Sequence, residues 1–276
     1  MAIVVRNNLA ANNSLTQLNR TSRALSRNFE HVSSGLRIAR AADDAAGLGV
    51  AENLRALHRS ADVAARNIND GISVIGVAEG ATNEVANILV RLRELAVQSS
   101  SETLENTERS YIQDESEQLV SEIDRIASVT EFNGVSLSDG STTTINVQVG
   151  VRNTTDDRIS ITLGNLQSSN LGVDTANLAL DTAANAQAAI TTIDTALDSV
   201  GSVRSGYGAV ENRLSSALNN IEAFSESSKA AESRIRDADF GVETAALTQN
   251  QILQQAGVAI LSQAKNLPQS ALSLLQ

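Results

Sequence analysis

The chain of 276 residues contains no cysteine, no tryptophan, one proline, one methionine, four phenylalanines and two tyrosines. Without cysteine there is no disulfide, no thiolate metal site and no thiol nucleophile. Aromatic side chains dominate the burial energy of ordinary cores, so this chain must pack Ala, Leu, Ile and Val along helix seams instead. The near absence of proline permits long unbroken helices, and Ala and Leu lead the helix propensity scale. Histidine is scarce as well. His31 and His58 have neither a cysteine nor a second spaced histidine with which to form a metal cluster. No G-x-G-x-x-G follows a strand pattern and no G-x-x-x-x-G-K-[ST] occurs. Long hydrophobic runs are missing too. "AIVV" stops at Arg6, short of the roughly 7–15 apolar residues of a signal peptide. No segment approaches the roughly 18 of a membrane span. Export, if it occurs, would then use a route without a cleaved peptide. Positive charge is in deficit overall, at a net −11, which argues against general nucleic-acid binding. Residues 1–40 nevertheless carry six Arg and one Glu, a net +5, and leave −16 for the rest.

What is present is a heptad-like pattern. Leu15, Leu18, Ser22, Leu25, Phe29, Val32 and Leu36 recur at spacings of three and four, as on a helix that must pair with another. A second seam runs from Leu54 through Leu57, Ala61, Ala64, Ile68, Ile72, Ile75, Ala78, Thr82, Val85, Leu89 and Leu92 to Ala96. At 1.5 Å per residue that helix is roughly 70 Å long. Residues 99–108 break it, and a shorter helix follows with Ile112, Leu119, Ile123 and Ile126 on one side. The period then changes to two: Ile145, Val147 and Val149 alternate with polar residues, and so do Ile159, Ile161 and Leu163, across the turn "VRNTTDDR". This predicts a β-hairpin. Helix returns near Thr182 with Ile190, Ile193, Leu197, Val200, Tyr207, Leu214, Leu218 and Ile221. A last seam holds Leu253, Ala256, Ile260, Ala264, Leu267, Ala271 and Leu274, with Pro268 inside it.

The expected fold is mainly α: long antiparallel coiled-coil helices from both chain halves, with one small β-hairpin region in the middle. The two ends pair with each other, as do the two long helices. A two-helix pair buries little apolar surface, and Leu9, Ile38, Ile252 and Leu275 lie off the seams. The terminal pair is therefore expected to be completed by other copies of the chain. Its polymerisation seam is Leu18, Leu25 and Phe29 with Leu253, Ile260, Leu267 and Leu274.

The stretch "SSGLRIARAADDAAGLGV", residues 33–50, is the densest in polar and glycine residues. Asp43 and Asp44 are sequence neighbours, so on a helix they point about 100° apart and do not share one catalytic site. A structural reading accounts for more. Gly35 suits a left-handed helix end, Arg37 and Arg40 can reach a neighbouring carboxylate or carbonyl, and Asp43 and Asp44 can cap the next helix. "AAGLG" lets another backbone approach closely. Gly35, Arg37, Asp43, Asp44 and Gly47 are thus the expected joint.

The segments "SSGLRI", "ADDAAGLGVAENL", "RNINDGISVIGVAEGATNE", "RLRELAVQSS" and "EIDRIASVTEFNGVSL", with the C-terminal run from "SRIRDADFGVETAALTQNQ" to "SALSLLQ", resemble bacterial flagellin. The likeness covers residues 1–137 and about 185–276. It implies an inner terminal coiled-coil domain of 1–42 with 234–276, and a rod-like domain of 43–233 whose β-hairpin region lies at about 131–180. It is a short form, without large outer domains. It also implies a structural subunit of the flagellar filament that serves swimming and is secreted unfolded through the flagellar type III apparatus. Implied partners are further copies of the chain, an export chaperone at the C-terminal helix, the filament cap and hook-junction proteins, and a host toll-like receptor. The receptor contacts of the family match Arg91, Leu95 and Glu115, with Val90 where the family motif has Gln. Arg91 and Glu115 can equally form a plain surface ion pair. The resemblance implies no cofactor, metal, nucleic-acid partner or membrane insertion. The alternatives are another flagellar axial protein, such as the hook–filament junction protein, and an enzyme. The first would be set apart by its low copy number, the second by a convergent polar constellation, and none stands in the sequence.

Overall fold

The computed structural model describes residues 8–273, with the side chains of 8–266. Helices α1 (Leu9–Ser34), α2 (Ala45–Ser99) and α3 (Asn106–Val129) come first. Strands β1 (Glu131–Phe132), β2 (Val135–Ser136), β3 (Thr144–Gln148) and β4 (Arg158–Thr162) follow, then the short α4 (Ser168–Leu171), α5 (Ala183–Arg236) and α6 (Phe240–Ser273). At 55 and 54 residues, α2 and α5 each span roughly 80 Å. The chain forms two compact units, one holding the ends up to residue 58 and from residue 226, the other residues 59–225. The first of these reaches further along α2 and α5 than the inner domain of 1–42 with 234–276 that the family resemblance implies.

Within residues 59–225 the seam of α2 turns inward as its period requires. Ala61, Ala64, Ile68, Ile75, Ala78, Thr82, Val85, Leu89, Leu92 and Ala96 are all buried. Against one part of this stripe lie Ile112, Val120, Ile123 and Ala127 of α3 and Ala186, Ala189, Ile193, Ala196 and Val200 of α5. Against the other lie Tyr207, Leu214 and Ile221 of α5 and the inner face of the β3–β4 hairpin. Small alanines on facing helices keep the axes close, which is how a core poor in aromatics reaches interior packing density. Polar pairs hold the antiparallel register of α2 and α5: Ser225 Oγ donates to Asp62 Oδ1 at 2.7 Å and Arg93 Nε to Asp194 Oδ1 at 2.6 Å.

The middle region contains two antiparallel hairpins rather than one. β3 and β4 pair with Ile145 opposite Ile161 and Val147 opposite Ile159, as the alternation of apolar residues demands. β1 and β2 form a second, two-residue ladder. Their link, Asn133 (φ 50°) and Gly134 (φ 78°), is an Asn-Gly turn with both φ positive. Glycine also lets the larger hairpin seat on the helices. A Cβ on Gly71 would stand 2.9 Å from Val147 Cγ2, and one on Gly164 2.7 Å from Val203 Cγ1. The Gly164 amide donates to the Tyr207 hydroxyl at 3.1 Å. Burial raises the Tyr207 pKa above the usual phenol value, partly offset by that hydrogen bond.

The turn from α2 to α3 is organised by a buried cation that no periodicity announces. Arg109 donates from Nε to the Ser99 carbonyl at 3.0 Å, from Nη1 to Leu104 at 2.8 Å and from Nη2 to Ser101 at 2.7 Å. A guanidinium thus replaces the amides missing at the negative end of α2, while Glu105 and Glu108 form a reciprocal capping box at the start of α3. Arg109→Ala would strand three carbonyls. Urea unfolding is expected to show a loss of about 2–4 kcal/mol, with Arg109→Lys recovering part of it; a loss within about 0.5 kcal/mol would contradict this role.

Candidate functional site

The candidate site is the terminal pair α1/α6 with the two connectors that lead into it. The helices run antiparallel. Asn8 caps α1 by accepting from the Ala11 amide at 3.0 Å, and its Nδ2 donates to the Ala264 carbonyl at 2.7 Å. Near the other end of the pair, His31 Nδ1 lies 3.1 Å from Glu243 Oε1. Gly257 sits where a Cβ would come within 3.2 Å of Leu18 Cδ1, so this glycine sets the approach of the two helices. Little is sealed between them. Thr21 is the buried residue of α1, and Ala264 is buried on α6. Leu18 and Leu25 are half-buried, whereas Phe29 is 51% exposed, Leu253 48% and Ile260 56%. Leu9, Leu15, Phe240, Val242, Ile252 and Val258 are exposed as well. A notch of about 120 Å³ opens between Leu18, Leu253, Gly257 and Ile260. The side chain of Leu267 and the whole of Leu274 and Leu275, expected on or beside the same seam, lie outside the described residues.

The joint is built from both chain halves. α1 ends where Gly35 takes φ 71°, its amide returning to the His31 carbonyl at 2.9 Å. The connector then pairs with the one between α5 and α6. Leu36 and Asp237 form an antiparallel bridge; the Arg37 amide donates to the Arg236 carbonyl at 2.7 Å and the Ala238 amide to the Gly35 carbonyl at 2.9 Å. The Arg37 guanidinium reaches the Ile235 carbonyl at 2.5 Å, a backbone partner rather than a carboxylate. The two aspartates divide their work. Asp44 Oδ1 accepts from the Gly47 amide at 2.8 Å and so caps α2. Asp43 Oδ2 instead accepts from the Arg40 amide at 2.9 Å and the Ala39 amide at 3.2 Å, closing the turn before the helix. Arg40 in turn holds Glu30 of α1 at 2.6 Å. A Cβ on Gly47 would run into the Asp44 carboxylate and come 2.9 Å from Ile38 Cδ1. Ile38, expected on an outward apolar face, is only 2% exposed, because the bare start of α2 leaves it a socket.

The half of the joint after residue 234 escaped the sequence reading. Arg236 reaches Glu52 Oε1 at 2.9 Å, and Glu232 Oε2 lies 2.9 Å from His58 Nε2, so α2 and α5 are also tied by charge near the joint. Asp239 Oδ1 caps α6 through the Gly241 amide at 2.8 Å. An aspartate just before "FGVETAAL" is an N-cap signal that could have been read.

Of the three receptor-contact candidates, two come together. Arg91 donates from Nη2 to Glu115 Oε1 at 2.8 Å and from Nη1 to Glu94 Oε2 at 3.0 Å. Its hydrogen bonds to Glu115, then Glu94, raise the Arg91 pKa. All three side chains are about half exposed. Leu95 departs from expectation: at 2% exposure it belongs to the core shared with α3 and α5 and offers no surface. Among the described residues no cluster of His, Asp or Glu could hold a metal ion, and no helix is long and apolar enough to cross a membrane.

Both halves of the chain match a family model, with residues 144–189 outside the two matches. Residues 5–143 match the bacterial flagellin N-terminal helical region and residues 190–275 the bacterial flagellin C-terminal helical region. The chain belongs to the bacterial flagellin family. A flagellin of Halalkalibacterium halodurans is 42% identical over 274 residues, covering 99% of this chain and all of the relative. A flagellin of Bacillus subtilis is 39% identical over 304 residues, with 99% of each covered, and a flagellar filament core protein of Treponema phagedenis is 38% identical over 286 residues, with 99% and 100% covered. The crystal structure of Bacillus cereus flagellin superimposes with a TM-score of 0.50 at 32% identity, over 56% of this chain and 88% of that one. The protein is a filament subunit that polymerises with itself, and it is not an enzyme.

Asp43 gives the joint a pH signature. Its hydrogen bond from the Arg40 amide, above all, lowers its pKa below the ordinary carboxylate value. A depressed folded pKa stabilises above the unfolded value, about 3.9, and that contribution is lost as pH falls through the folded value. Asp43→Ala is therefore expected to lower the midpoint of thermal unfolding near pH 7, with the difference from the parent shrinking as the pH is taken toward 2. An equal difference at both pH values would contradict it.

Proposed function

We propose that the terminal pair α1/α6 is the polymerising surface of this flagellin, and that Leu18, Leu25, Phe29, Leu253 and Ile260 with Leu267 and Leu274 form its seam. One observation carries the reading: a helix pair whose seam residues stay half exposed. An apolar stripe of this kind in a single copy marks an interaction surface. A helical polymer needs heterologous contacts, because an isologous patch closes on itself, and the antiparallel pair presents different faces on its α1 and α6 sides.

The same stripe explains the remaining partners. The chain leaves the bacterium unfolded through the flagellar type III apparatus. Absence of disulfides and a core of small side chains suit a polypeptide that must cross a narrow channel and refold outside. An export chaperone covers the C-terminal seam until then, and the filament cap and hook-junction proteins meet the same helices at the ends of the polymer. Residues 1–42 with 234–276 act as the inner domain and 43–233 as the rod. A toll-like receptor would read Arg91 and Glu115, which are exposed and held at 2.8 Å. The buried Leu95 supports their platform without touching the receptor.

Gly35, Arg37, Asp43, Asp44 and Gly47 act as the joint that sets the angle of the terminal pair to the long helices. Shifts there alter subunit packing and with it the supercoil through which the filament converts motor torque into thrust. Gly47→Leu tests this, since the added side chain collides with the Asp44 cap and Ile38. Electron microscopy of the purified variant is expected to show no filaments or straight ones; wavy filaments of ordinary length would overturn the assignment.

A further inference from the structure

Three arginines of α1, Arg20, Arg23 and Arg27, recur at i, i+3 and i+7 and so share an arc of about 60°. All three are exposed. They line an open groove of about 510 Å³ against Asn250 and Leu253 of α6. Two acids, Glu30 and Asp43, line the adjoining groove beside Arg23 and Arg27, and both are engaged elsewhere: Asp43 accepts from the Arg40 and Ala39 amides. Glu30, the single acid of α1, is taken by Arg40 at 2.6 Å. Glu243, the last acid of the chain, lies against His31 at 3.1 Å. Arg23 makes a local contact, from its Nε to the Asn19 carbonyl at 3.3 Å. Three like charges within two helical turns repel one another, and in the isolated subunit Glu30 and Asp43 offset that cost only in part.

The compensating charge is abundant elsewhere. Residues 59–225 hold 10 Arg and no Lys against 23 Asp and Glu, a net −13, whereas the rest of the chain holds 11 Arg and Lys against 9 acids, a net +2. We propose that the arginine groove of α1 docks an acidic face within residues 59–225 of a second copy, so that assembly is steered by charge before the apolar seams close. The proposal rests on the reading that the chain polymerises with itself. Complementary potentials of this kind raise association rates and fix register more than they add affinity, and they weaken as salt shortens the Debye length. The apolar seam alone would hold subunits without selecting which faces meet; the charge pattern supplies that selection.

Growth of filaments from the full-length chain tests this, measured by light scattering between about 0.05 and 0.5 M salt. The parent is expected to grow more slowly as salt rises. The triple variant R20Q/R23Q/R27Q is expected to grow roughly tenfold more slowly at low salt, the scale of three exposed ion pairs, and to lose the salt dependence, with its monomer melting unchanged. R20K/R23K/R27K keeps the charge and is expected to grow like the parent. It also carries amines that carbodiimide couples to carboxylates. Mass spectrometry of filaments mixed from isotopically heavy and light copies is expected to find intermolecular links from positions 20, 23 or 27 to carboxylates within 59–225. Growth of the Gln variant at the parent's rate and salt dependence, or links only to carboxylates outside 59–225, would overturn the proposal and leave self-assembly standing. So would parental growth of the Gln variant together with lost sedimentation on phosphatidylglycerol vesicles, which would assign the groove to a lipid surface. Failure of the parent itself to polymerise would overturn the filament reading along with it.

Discussion

Two antiparallel helices cannot bury an apolar stripe that is wider than their line of contact. In α1 and α6 the stripe is wide: Leu15, Phe29, Ile252, Leu253, Val258 and Ile260 all keep substantial exposure, even though Gly257 lets α6 come close to Leu18 of α1. Apolar surface left in water costs about 25 cal/mol per Å², and ordering each residue costs roughly 1–2 kcal/mol in backbone entropy. The pair therefore leaves much apolar surface open in one subunit, which under the proposed function is covered by the surfaces of others. On the proposed reading, folding of the ends and growth of the filament become the same event.

The rest of the molecule is arranged to make that event productive. Residues 59–225 have a core of their own: a continuous apolar stripe on α2 meets α3, α5 and the β3–β4 hairpin, although Val63, Val90, Tyr111 and Val129 stay exposed outside it. Polar groups are settled locally. Arg109 serves the end of α2, Asp44 its start and Asp239 the start of α6. The connectors combine these caps with an antiparallel bridge between Leu36 and Asp237, so that backbone hydrogen bonds tie the two chain halves together there. Charge is segregated too: residues 59–225 carry a net −13 and the rest of the chain a net +2, the asymmetry on which the proposed docking between copies rests.

The long elements were legible because their signal is long. Over some forty residues of α2 the three-four spacing leaves one solution, and the stripe from Ala61 to Ala96 is buried as read. The hairpin register followed from strict alternation at Ile145, Val147, Ile159 and Ile161. Features set by contacts between distant segments were not legible. Ile38 looked like an outward apolar residue because its socket is created by the missing side chain of Gly47. Leu95 shares a helix with Arg91, yet the facing surfaces of α3 and α5 enclose one and leave the other in water. Arg109 belongs to no periodic pattern; its role depends on three carbonyls, those of Ser99 at the end of α2 and of Ser101 and Leu104 in the connector that follows. Glu52, Glu232 and Arg236 escaped notice because pairing across nearly two hundred residues leaves no local trace. The Asn-Gly turn at 133–134 and Asp239 before α6 are different, since each is a short-range signal that was present and went unused.

Hydrogen exchange of the backbone amides, compared between monomer and assembled filament, tests the central claim most directly. Amides of residues 15–29 and 250–262 should exchange fast in the monomer and become at least roughly tenfold slower in the filament, while those of 61–96 stay protected in both. Equal, strong protection of the two terminal segments in monomer and filament alike would contradict the account.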